Sequence, residues 1–334
     1  MDESVFVIAE IGSVHDGSFG NALKLVDLAA GVGADAVKFQ MHIAEAETLR
    51  DAPMPPYFSG EPRFEYFQRT AFEMEQWADL MAAADGQGLA FLCSAFSVEA
   101  VNRLEELQVT AHKVPSGEVT NIPLLKEMGR TGKTVYLSSG MSSWAELDEA
   151  VAAVRDAGGD LVMLQCTSAY PCPIEQLGLN VMSEMRARYD APVGLSDHSL
   201  SVHVAPVAVA LGATVVEKHL TISTDMYGSD AAHSLSPEQF SRMVDAVREA
   251  ERLLAAKVDK DEMARNMEEM KRIFEKSIVS VTDIPRGAVI TMDMLGLKKP
   301  GGGLPPRDLD TVAGQRARVA IPKDTILSLD CLSD

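Results

Sequence analysis

Eight short runs of β-branched residues alternate with helical stretches over the first three-quarters of this 334-residue chain. Turn residues bound each run, as is typical of buried strands. Eight βα repeats over about 250 residues predict a TIM (β/α)8 barrel. The alternative is a doubly wound sheet, but no GxGxxG follows the first strand. The predicted strands are Val5–Glu10, Ala36–Gln40, Leu89–Ser94, Ala111–Val114, Thr134–Ser138, Leu161–Gln165, Pro192–Leu195 and Thr214–His219.

The sequence changes character after a helical pattern at Pro237–Lys257. Residues 259–276 are rich in charge, which is typical of a solvent-facing helix or linker. The remaining residues form short β-like runs broken by Pro and Gly. We therefore predict a barrel domain at 1–258, a linker at 259–276 and a small β-rich domain at 277–334.

The chain is acidic, with a net charge of −19. Such a charge argues against nucleic acid or an anionic membrane as a partner. No apolar run reaches the roughly 18 residues that span a bilayer, and the amino terminus MDESVFVIAE lacks a basic region. The four cysteines show neither metal-ligand nor disulfide spacing. We expect a cytoplasmic protein with reduced thiols.

Polar side chains gather at the carboxyl ends of all eight predicted strands, where barrels of this kind have their active sites. Random placement would scatter them over both ends, so the pattern predicts one site at the barrel mouth. The residues are Glu10, Lys38, Gln40, Ser94, Lys113, Ser116, Glu118, Ser138, Gln165, Ser196, His198, Glu217 and His219.

Two of these residues are histidines at neighbouring predicted strands, since His198 follows the seventh strand and His219 ends the eighth. Adjacent strands lie about 4.8 Å apart, so both imidazoles can reach one ion. Two histidines and water suit a borderline cation such as Mn²⁺, Fe²⁺, Co²⁺ or Zn²⁺. The alternative is that each histidine only hydrogen-bonds a loop.

Two lysines, Lys38 and Lys113, close apolar runs, and burying an ammonium is costly unless it meets an anion. With the neighbouring serines they predict a cradle for phosphate or carboxylate. In SSGMSS, Gly140 would let backbone N–H groups approach an oxyanion. The alternative is a set of structural ion pairs between these lysines and Glu10, Glu118 or Glu217. The available carboxylates, which could also bind sugar hydroxyls or move protons, are Glu10, Glu118, Glu217 and Asp230.

The motifs, taken in order, resemble those of the sialic acid synthase family, whose members make N-acetylneuraminate, legionaminate and pseudaminate. The resemblance covers essentially the whole chain. The last 60 or so residues resemble the family's antifreeze-like (SAF) domain. The motifs are AEIGSVHDG, AVKFQ, KVPSGE, SSGM, QCTSAYP, GLSDHS, EKHLT and, in the last domain, KKPGGGLPP.

This resemblance implies a TIM barrel followed by a SAF domain, in a homodimer whose small domains cover each other's barrel mouths. It implies a divalent metal ion at His198 and His219, with Mn²⁺ expected and Co²⁺ or Mg²⁺ as alternatives. Catalysis is expected to involve Glu118, Glu10 and His219, and the acylamino sugar to contact Glu10, Gln40, Asp230 and Lys299. The residues expected to hold phosphoenolpyruvate are Lys38, Ser94, Lys113, Ser116, Ser138, Tyr170 and Ser196.

Four positions depart from the family pattern. Gln165 and Ser168 replace a His and an Asn, Lys299 replaces the Arg of the SAF loop, and Val14 stands where Asn is common. Lys cannot reproduce a planar two-pronged contact, so the departure at Lys299 leaves the acyl-group preference open.

The expected reaction joins phosphoenolpyruvate, an N-acyl-mannosamine-type aldehyde sugar and water, giving a nonulosonic acid, above all N-acetylneuraminate, and phosphate. A 2,4-diacetamido-trideoxyhexose would instead give legionaminate or pseudaminate. Two other classes stay open from the residues alone. One is an aldolase that uses a Lys Schiff base, and the other is a non-enzymatic sugar-binding protein.

Overall fold

The computed structural model describes residues 4–54 and 60–333. Contacts divide the chain into two units, Met1–Ala255 and Ala256–Asp334. The division lies near the predicted end of the barrel domain, but the three predicted domain limits stay predictions. None of the helices among the described residues is long and apolar enough to cross a membrane.

The first unit is a closed barrel of eight parallel strands, in which β1 pairs with both β2 and β8. The predicted fold is therefore confirmed, and each observed strand overlaps its predicted one. The strands are β1 Phe6–Gly12, β2 Ala36–Met41, β3 Ala90–Ala95, β4 Ala111–Val114, β5 Thr134–Ser138, β6 Asp160–Cys166, β7 Val193–Asp197 and β8 Val215–His219.

Helices surround the strands, and several begin at residues that the sequence supplies for the purpose. Ser143 and Glu146 form a capping box at the start of one helix, and the Ser97 hydroxyl caps another. The helices are α1 Phe19–Gly31, α2 Ala44–Glu47, α3 Arg63–Thr70, α4 Met74–Gly86, α5 Val98–Glu106, α6 Ile122–Arg130, α7 Trp144–Asp156, α8 Val181–Tyr189, α9 Val204–Ala210 and α10 Pro237–Ala255.

Apolar side chains fill two regions of the barrel unit. The larger core lies between the strands and the helices and includes Phe39, Leu124 and Phe240. A smaller cluster with Ile8, Leu92 and Leu164 plugs the inside of the barrel. This cluster closes the inside of the barrel toward the amino ends of the strands. The barrel can therefore hold a ligand only on the side of the carboxyl ends.

The second unit begins with two short helices in the charged region, α11 Lys260–Asn266 and α12 Glu268–Phe274. Beyond them, β9 Ser277–Ser280 pairs antiparallel with β10 Leu295–Lys298. A four-residue helix, α13 Leu309–Val312, precedes a second antiparallel pair, β11 Arg316–Ala317 and β12 Leu332–Ser333. The unit has its own core of small size, as expected for a β-rich appendix of this length. Its buried members are Ile278, Ile284, Ile290, Leu295, Leu304, Val312, Ala317, Ile321, Leu327 and Leu332.

Candidate active site

The inward-facing residues of the strands change from apolar to polar within two positions. Side chains two residues apart share a face of a strand, so a polar residue follows each plug position toward the carboxyl end. Thus Ile8 is followed by Glu10, and Leu92 by Ser94. The eight residues that lie above the plug line one cavity and are called the polar ring: Glu10, Lys38, Ser94, Lys113, Ser138, Cys166, Ser196 and Glu217.

The strand register brings opposite charges of the polar ring together. Glu10 pairs with Lys38 across β1 and β2, and Ser196 pairs with Glu217 across β7 and β8. The Lys38 ammonium lies 2.8 Å from Glu10 and 3.6 Å from Glu217. It also donates to the Ser94 hydroxyl at 3.1 Å. Lys38 therefore links its own strand, β2, to β1 and β8 through ion pairs and to β3 through a hydrogen bond.

Lys113 has weaker ion pairs than Lys38. Its ammonium donates to the Ser138 hydroxyl at 2.7 Å and to the carbonyl oxygen of Val114 at 3.2 Å. The nearest carboxylate oxygen, on Glu217, is 3.7 Å away. The Glu217 carboxylate also accepts a hydrogen bond from Ser196 at 2.9 Å. Lys113 thus keeps a donor direction that a bound anion can use.

The two carboxylates of the ring titrate far apart. Burial raises the pKa of Glu10 to about 7, against the opposing effect of Lys38. Burial acts in the same direction on Glu217, but attraction to Lys113 and Lys38 outweighs it and lowers the pKa to about 2. Near neutral pH, two ammonium groups therefore face one firmly ionised carboxylate and one that can take up a proton. This balance favours an incoming anion.

The structure therefore contains the ion pairs of the alternative interpretation as well as the serines of a cradle. The pair with Glu118 is absent from the ion pairs of the described residues, whereas those with Glu10 and Glu217 are present. Both interpretations describe the same atoms, because a cradle of two lysines needs carboxylates to stabilise it when no ligand is bound.

Gly140 lies where two hydroxyl groups approach the backbone. A β-carbon at this position would lie 2.4 Å from the Ser116 hydroxyl and 2.2 Å from that of Ser168. The Gly140 N–H donates to the Ser116 hydroxyl at 3.1 Å. In this structure the Gly140 N–H therefore fixes Ser116 at the cavity wall, and its use for an oxyanion stays a prediction.

The predicted histidine pair lies at the next level of the cavity. The ring centroids of His198 and His219 are 5.5 Å apart. His198 Nδ1 lies 3.0 Å from the carbonyl oxygen of Thr167, and Nε2 lies 3.1 Å from the Tyr170 hydroxyl. Because the Thr167 carbonyl oxygen can only accept, Nδ1 carries a proton, as in the usual arrangement of a ligating histidine, and Nε2 faces the Tyr170 hydroxyl in this structure.

His219 carries the observation that favours a metal ion. Its Nδ1 is buried and has no hydrogen-bond partner among the described residues. Burial lowers the pKa of His219 to about 4, so the ring is neutral, as a ligand must be. Within residues 4–54 and 60–333 no cluster of three or more His, Cys, Asp or Glu side chains is placed to hold a metal. The residues therefore fit an ion with two protein ligands and several open positions.

Asp230 approaches His219 because Gly12 leaves room for it. A β-carbon at Gly12 would lie 2.3 Å from Asp230 Oδ2 and 3.3 Å from His219 Cε1, and the φ of +54° also favours glycine. Asp230 Oδ2 accepts a hydrogen bond from the Ser13 N–H at 2.7 Å. The predicted sugar-contacting carboxylate is therefore fixed beside the histidine pair.

The predicted residue Gln40 belongs to a chain of polar contacts that rises along β2. Its Nε2 donates to Glu10 Oε1 at 2.6 Å, and its Oε1 lies 3.1 Å from His42 Nε2. His42 Nδ1 is 2.6 Å from Glu47, and its ring stacks between Phe67 and Phe96 at centroid distances of 3.8 and 4.1 Å. His42 was not predicted as a site residue. Its position two residues beyond Gln40 indicates that the two side chains lie on the same face of the segment.

The cavity has a volume of about 520 Å³ and contains almost all of the predicted site residues of the barrel. Glu118 is an exception, because it does not line the cavity and its carboxylate accepts a hydrogen bond from Asn121 at 2.7 Å. Gln165 faces outward and accepts a hydrogen bond from Ser139 at 3.1 Å. Lys299 belongs to the second unit, where its ammonium lies 5.0 Å from the centre of the Phe274 ring.

Several cavity residues carry functional groups that sequence reasoning did not single out for the site. Cys166 is the inward-facing residue of β6, whereas the sequence predicts Gln165 at this strand end. The additional lining residues include Ser13, His42, Arg63, Tyr66, Phe67, Phe96, Met141, Cys166 and Ser229. For the lining residues on strands, the alternation of side chains between the two faces of a strand could have identified them. The lining residues on α3 follow no such alternation, so the sequence does not indicate that they lie at the barrel mouth.

The sequence matches the NeuB family over residues 25–259. The chain belongs to this family. A SAF domain follows at residues 275–333. The predicted family and the predicted pair of domain types are therefore confirmed, and this NeuB family member is an enzyme.

Relatives with curated names span nearly the whole chain. N-acetylneuraminate-9-phosphate synthase of Homo sapiens is 35% identical over 96% of this chain and 90% of its own length. N,N'-diacetyllegionaminic acid synthase of Campylobacter jejuni is 30% identical over 97% of this chain and 99% of its own length.

A solved structure shows the same relationship. The N-acetylneuraminic acid synthetase of Leptospira borgpetersenii, crystallised with citrate, has a TM-score of 0.70 at 27% identity. The match covers 81% of this NeuB family member and 93% of that chain. All three relatives are named as synthases of nonulosonic acids, which are nine-carbon sugar acids.

Proposed function

We propose that this NeuB family member condenses phosphoenolpyruvate with an open-chain N-acyl-mannosamine-type sugar and water. The products are a nonulosonic acid, with N-acetylneuraminate as the leading candidate, and phosphate. The observation that supports the proposal is a single cavity in which two buried lysines and several serines lie directly below a histidine pair. The legionaminate and pseudaminate reactions are the alternatives, since they differ only in the acceptor sugar.

The polar ring suits phosphoenolpyruvate. Lys38, Lys113 and the hydroxyls of Ser94, Ser138 and Ser196 supply positive charge and donors for its phosphate and carboxylate groups. Held there, C3 of phosphoenolpyruvate attacks the aldehyde carbon and forms the new carbon–carbon bond. Water then adds at C2, and the C2–O bond to phosphate breaks. The ring acts by positioning and by stabilising charge.

The next level of the cavity suits the acceptor sugar. Glu10, Gln40 and Asp230 offer acceptors and donors to its hydroxyl and acylamino groups. Glu10 can also hold or release a proton near neutral pH, because its pKa is raised to about 7 by burial. We assign it the proton on the aldehyde oxygen in preference to Glu118, which lies outside the cavity wall.

His198 and His219 are proposed to hold a divalent cation, with Mn²⁺ as the leading candidate and Co²⁺ or Mg²⁺ as alternatives. When bound, such an ion polarises a carbonyl oxygen as a Lewis acid. The neutral state and the partnerless nitrogen of His219 support this assignment.

The second unit is proposed to act on the partner subunit. The family resemblance implies a homodimer in which each SAF domain covers the other barrel, with Lys299 approaching the sugar. The aldehyde and the phosphoenolpyruvate must be shielded from bulk water until they react, and this gives a covering domain its purpose.

The decisive experiment measures phosphate release from phosphoenolpyruvate with a panel of N-acyl hexosamines and identifies the products by mass spectrometry. We expect a nine-carbon product whose formation stops after dialysis against EDTA and returns with Mn²⁺. His219→Ala should remain folded but should neither bind Mn²⁺ stoichiometrically nor turn over. Full activity of that variant in EDTA would contradict the metal site.

A second arm separates the proposal from an aldolase. Borohydride in the presence of pyruvate should give no covalent adduct on Lys38 or Lys113. An adduct on either lysine, detected by peptide mass spectrometry, would support a Schiff-base enzyme instead.

A further inference from the structure

The residues just before the two proposed metal-binding histidines form an ion pair. Asp197 ends β7 and precedes His198, and Lys218 precedes His219 at the end of β8. Asp197 and Lys218 are direct partners in the strand register. The Lys218 ammonium lies 2.6 Å from Asp197 Oδ2, and the two side chains are 1% and 0% exposed, respectively. A buried ion pair therefore joins β7 to β8 one residue before each histidine.

This ion pair lies behind the cavity wall. Side chains alternate between the two faces of a strand, and Ser196 and Glu217, one residue earlier, line the cavity together with the two histidines. Asp197 and Lys218 do not line it and face the outer side of the barrel. The register of β7 and β8 ends at these two residues. Backbone pairing therefore does not extend to the histidines, and the ion pair lies where that pairing ends.

Lys218 also holds the residue that follows His198. Its ammonium donates to the carbonyl oxygen of Ser199 and, at 3.3 Å, to the Ser199 hydroxyl. Asp197 Oδ1 accepts the Ser199 N–H at 2.7 Å. With Asp197 Oδ2, the three N–H groups of the ammonium each have an acceptor. The residues on both sides of His198 are therefore fixed by one side chain of the neighbouring strand.

Stability alone does not account for a charged pair at this position. Burial removes water from the ammonium and from the carboxylate, and apolar residues of similar volume often stabilise a protein as well. An ion pair adds direction, because charge-assisted hydrogen bonds fix the distance and the angle between their partners. Residues behind metal ligands commonly orient the ligands and tune the affinity for the metal in this way.

We propose that Asp197 and Lys218 are positioning residues that hold His198 and His219 at the separation and orientation that one divalent cation requires. The inference rests on the proposed function, because it takes the histidine pair as the metal site. The carbonyl oxygen of Thr167 orients the ring of His198, whereas the ion pair fixes the backbone that carries both rings. Asp197 and Lys218 act only through the histidines, since neither side chain reaches the cavity.

The test measures Mn²⁺ binding to the full-length protein by electron paramagnetic resonance, because the signal of free Mn²⁺ weakens when the ion is bound. Lys218→Met should bind Mn²⁺ about 10- to 100-fold more weakly than the wild type. Titration calorimetry with phosphoenolpyruvate in the presence of EDTA should give the wild-type Kd, since Ser196 still donates to Glu217. A loss confined to Mn²⁺ distinguishes positioning of the histidines from a general loosening of the barrel.

A second variant avoids an unpaired buried charge. Lys218→Met leaves the Asp197 carboxylate without its cationic partner, which lowers the stability of the fold. The double variant Asp197→Asn/Lys218→Met removes both charges, and asparagine keeps the shape of aspartate and an acceptor for the Ser199 N–H. It should unfold near the wild-type Tm and show the same weakened Mn²⁺ binding. If the single variant does not fold, the double variant decides.

Arg248→Met is the matched control, because it removes an ion pair at the opposite end of the barrel. Arg248 lies 2.6 Å from Asp35, which immediately precedes β2. The substitution should lower the Tm and leave the affinity for Mn²⁺ unchanged. A loss of Mn²⁺ affinity in this variant as large as in the double variant would show that lost stability explains the effect, and would overturn the inference.

The remaining outcomes separate the inference from the proposed function. Weakened Mn²⁺ binding in the double variant supports the inference whichever sugar is turned over. Wild-type affinity in the double variant would overturn it and leave the metal site standing. Equal losses for Mn²⁺ and phosphoenolpyruvate would overturn it too, because the pair would then support the whole strand end. His219→Ala is the reference without a site, and a wild type that binds no more Mn²⁺ than this variant would remove the metal site and the inference together.

Discussion

At the scale of single residues, Lys113 offers the sharpest test of the phosphoenolpyruvate site. It is 2% exposed and donates to Ser138. Lys113→Met keeps most of the side-chain volume but removes the charge. We expect the KM for phosphoenolpyruvate to rise by about 10- to 100-fold, while the KM for the sugar changes little. Steady-state kinetics with each substrate varied in turn measure both.

Lys126→Met is a suitable control for this variant, because Lys126 is exposed on α6 and outside the cavity. It should behave like the wild type. Lys38 still lies 3.6 Å from Glu217 when the ammonium of Lys113 is removed, so that carboxylate keeps a cationic partner in the variant. An unchanged KM for phosphoenolpyruvate in a folded Lys113→Met protein would contradict the cradle.

The site residues on strands could be predicted from the sequence, but the prediction did not always place a residue on the correct face of its strand. In β6, Leu164 belongs to the apolar plug, so Cys166 is the next inward position. Gln165 ends the predicted strand Leu161–Gln165, and alternation places it on the face opposite to Cys166. Glu118 and Arg63 lie outside the strands, where no such period applies. Their positions depend on how loops and α3 pack, which one sequence does not reveal.

At the scale of elements, the strands were predicted within one or two residues, whereas α6 is not evident from its residues alone. α6 contains Pro123 and Gly129, which usually interrupt helices. Pro123 is tolerated because it stands in the first turn, next to the Asn121 cap. Gly129 is required by close packing, because a β-carbon there would lie 2.6 Å from the carbonyl oxygen of Val154. Tertiary packing thus overrides the local propensity.

The contact between α6 and α7 predicts the effect of adding one methyl group. Gly129→Ala should lower the free energy of unfolding by about 1–3 kcal/mol, because the new β-carbon would meet Val154 and the Ala157 side chain. Calorimetry, which can resolve separate transitions of the two units, measures the change.

Gly86→Ala is the matched control. Gly86 is the last residue of α4, and a β-carbon there would meet no atom within 4 Å. The substitution should leave the protein as stable or more stable by about 0.4–1 kcal/mol, because alanine restricts the unfolded chain. If both variants lose stability equally, the packing at Gly129 does not explain the effect.

At the scale of the whole molecule, the sequence predicted both domain types because each has a distinct pattern. The barrel has its βα period, and the second unit has short strands broken by Gly and Pro. The limits between them were harder to predict, since the charged region at 259–276 contains the helices α11 and α12. Charge alone does not distinguish an exposed helix of a domain from a linker.

The proposed exchange of SAF domains predicts how two inactive variants behave together. His219→Ala damages the barrel site, and Lys299→Ala damages the loop of the SAF domain. In an exchanged dimer of one chain of each kind, one of the two sites combines an intact barrel with an intact SAF domain. Random reassociation of equal amounts makes half of the dimers mixed, so about a quarter of the wild-type activity should return.

If each SAF domain acts on its own barrel, every site of the mixed dimer carries one defect and no activity returns. The two outcomes are separated by unfolding and refolding the variants together, with differently tagged chains to show that mixed dimers form. His219→Ala mixed with the wild type serves as the control for subunit exchange. Mixed dimers that form and stay inactive would show that Lys299 does not act across subunits.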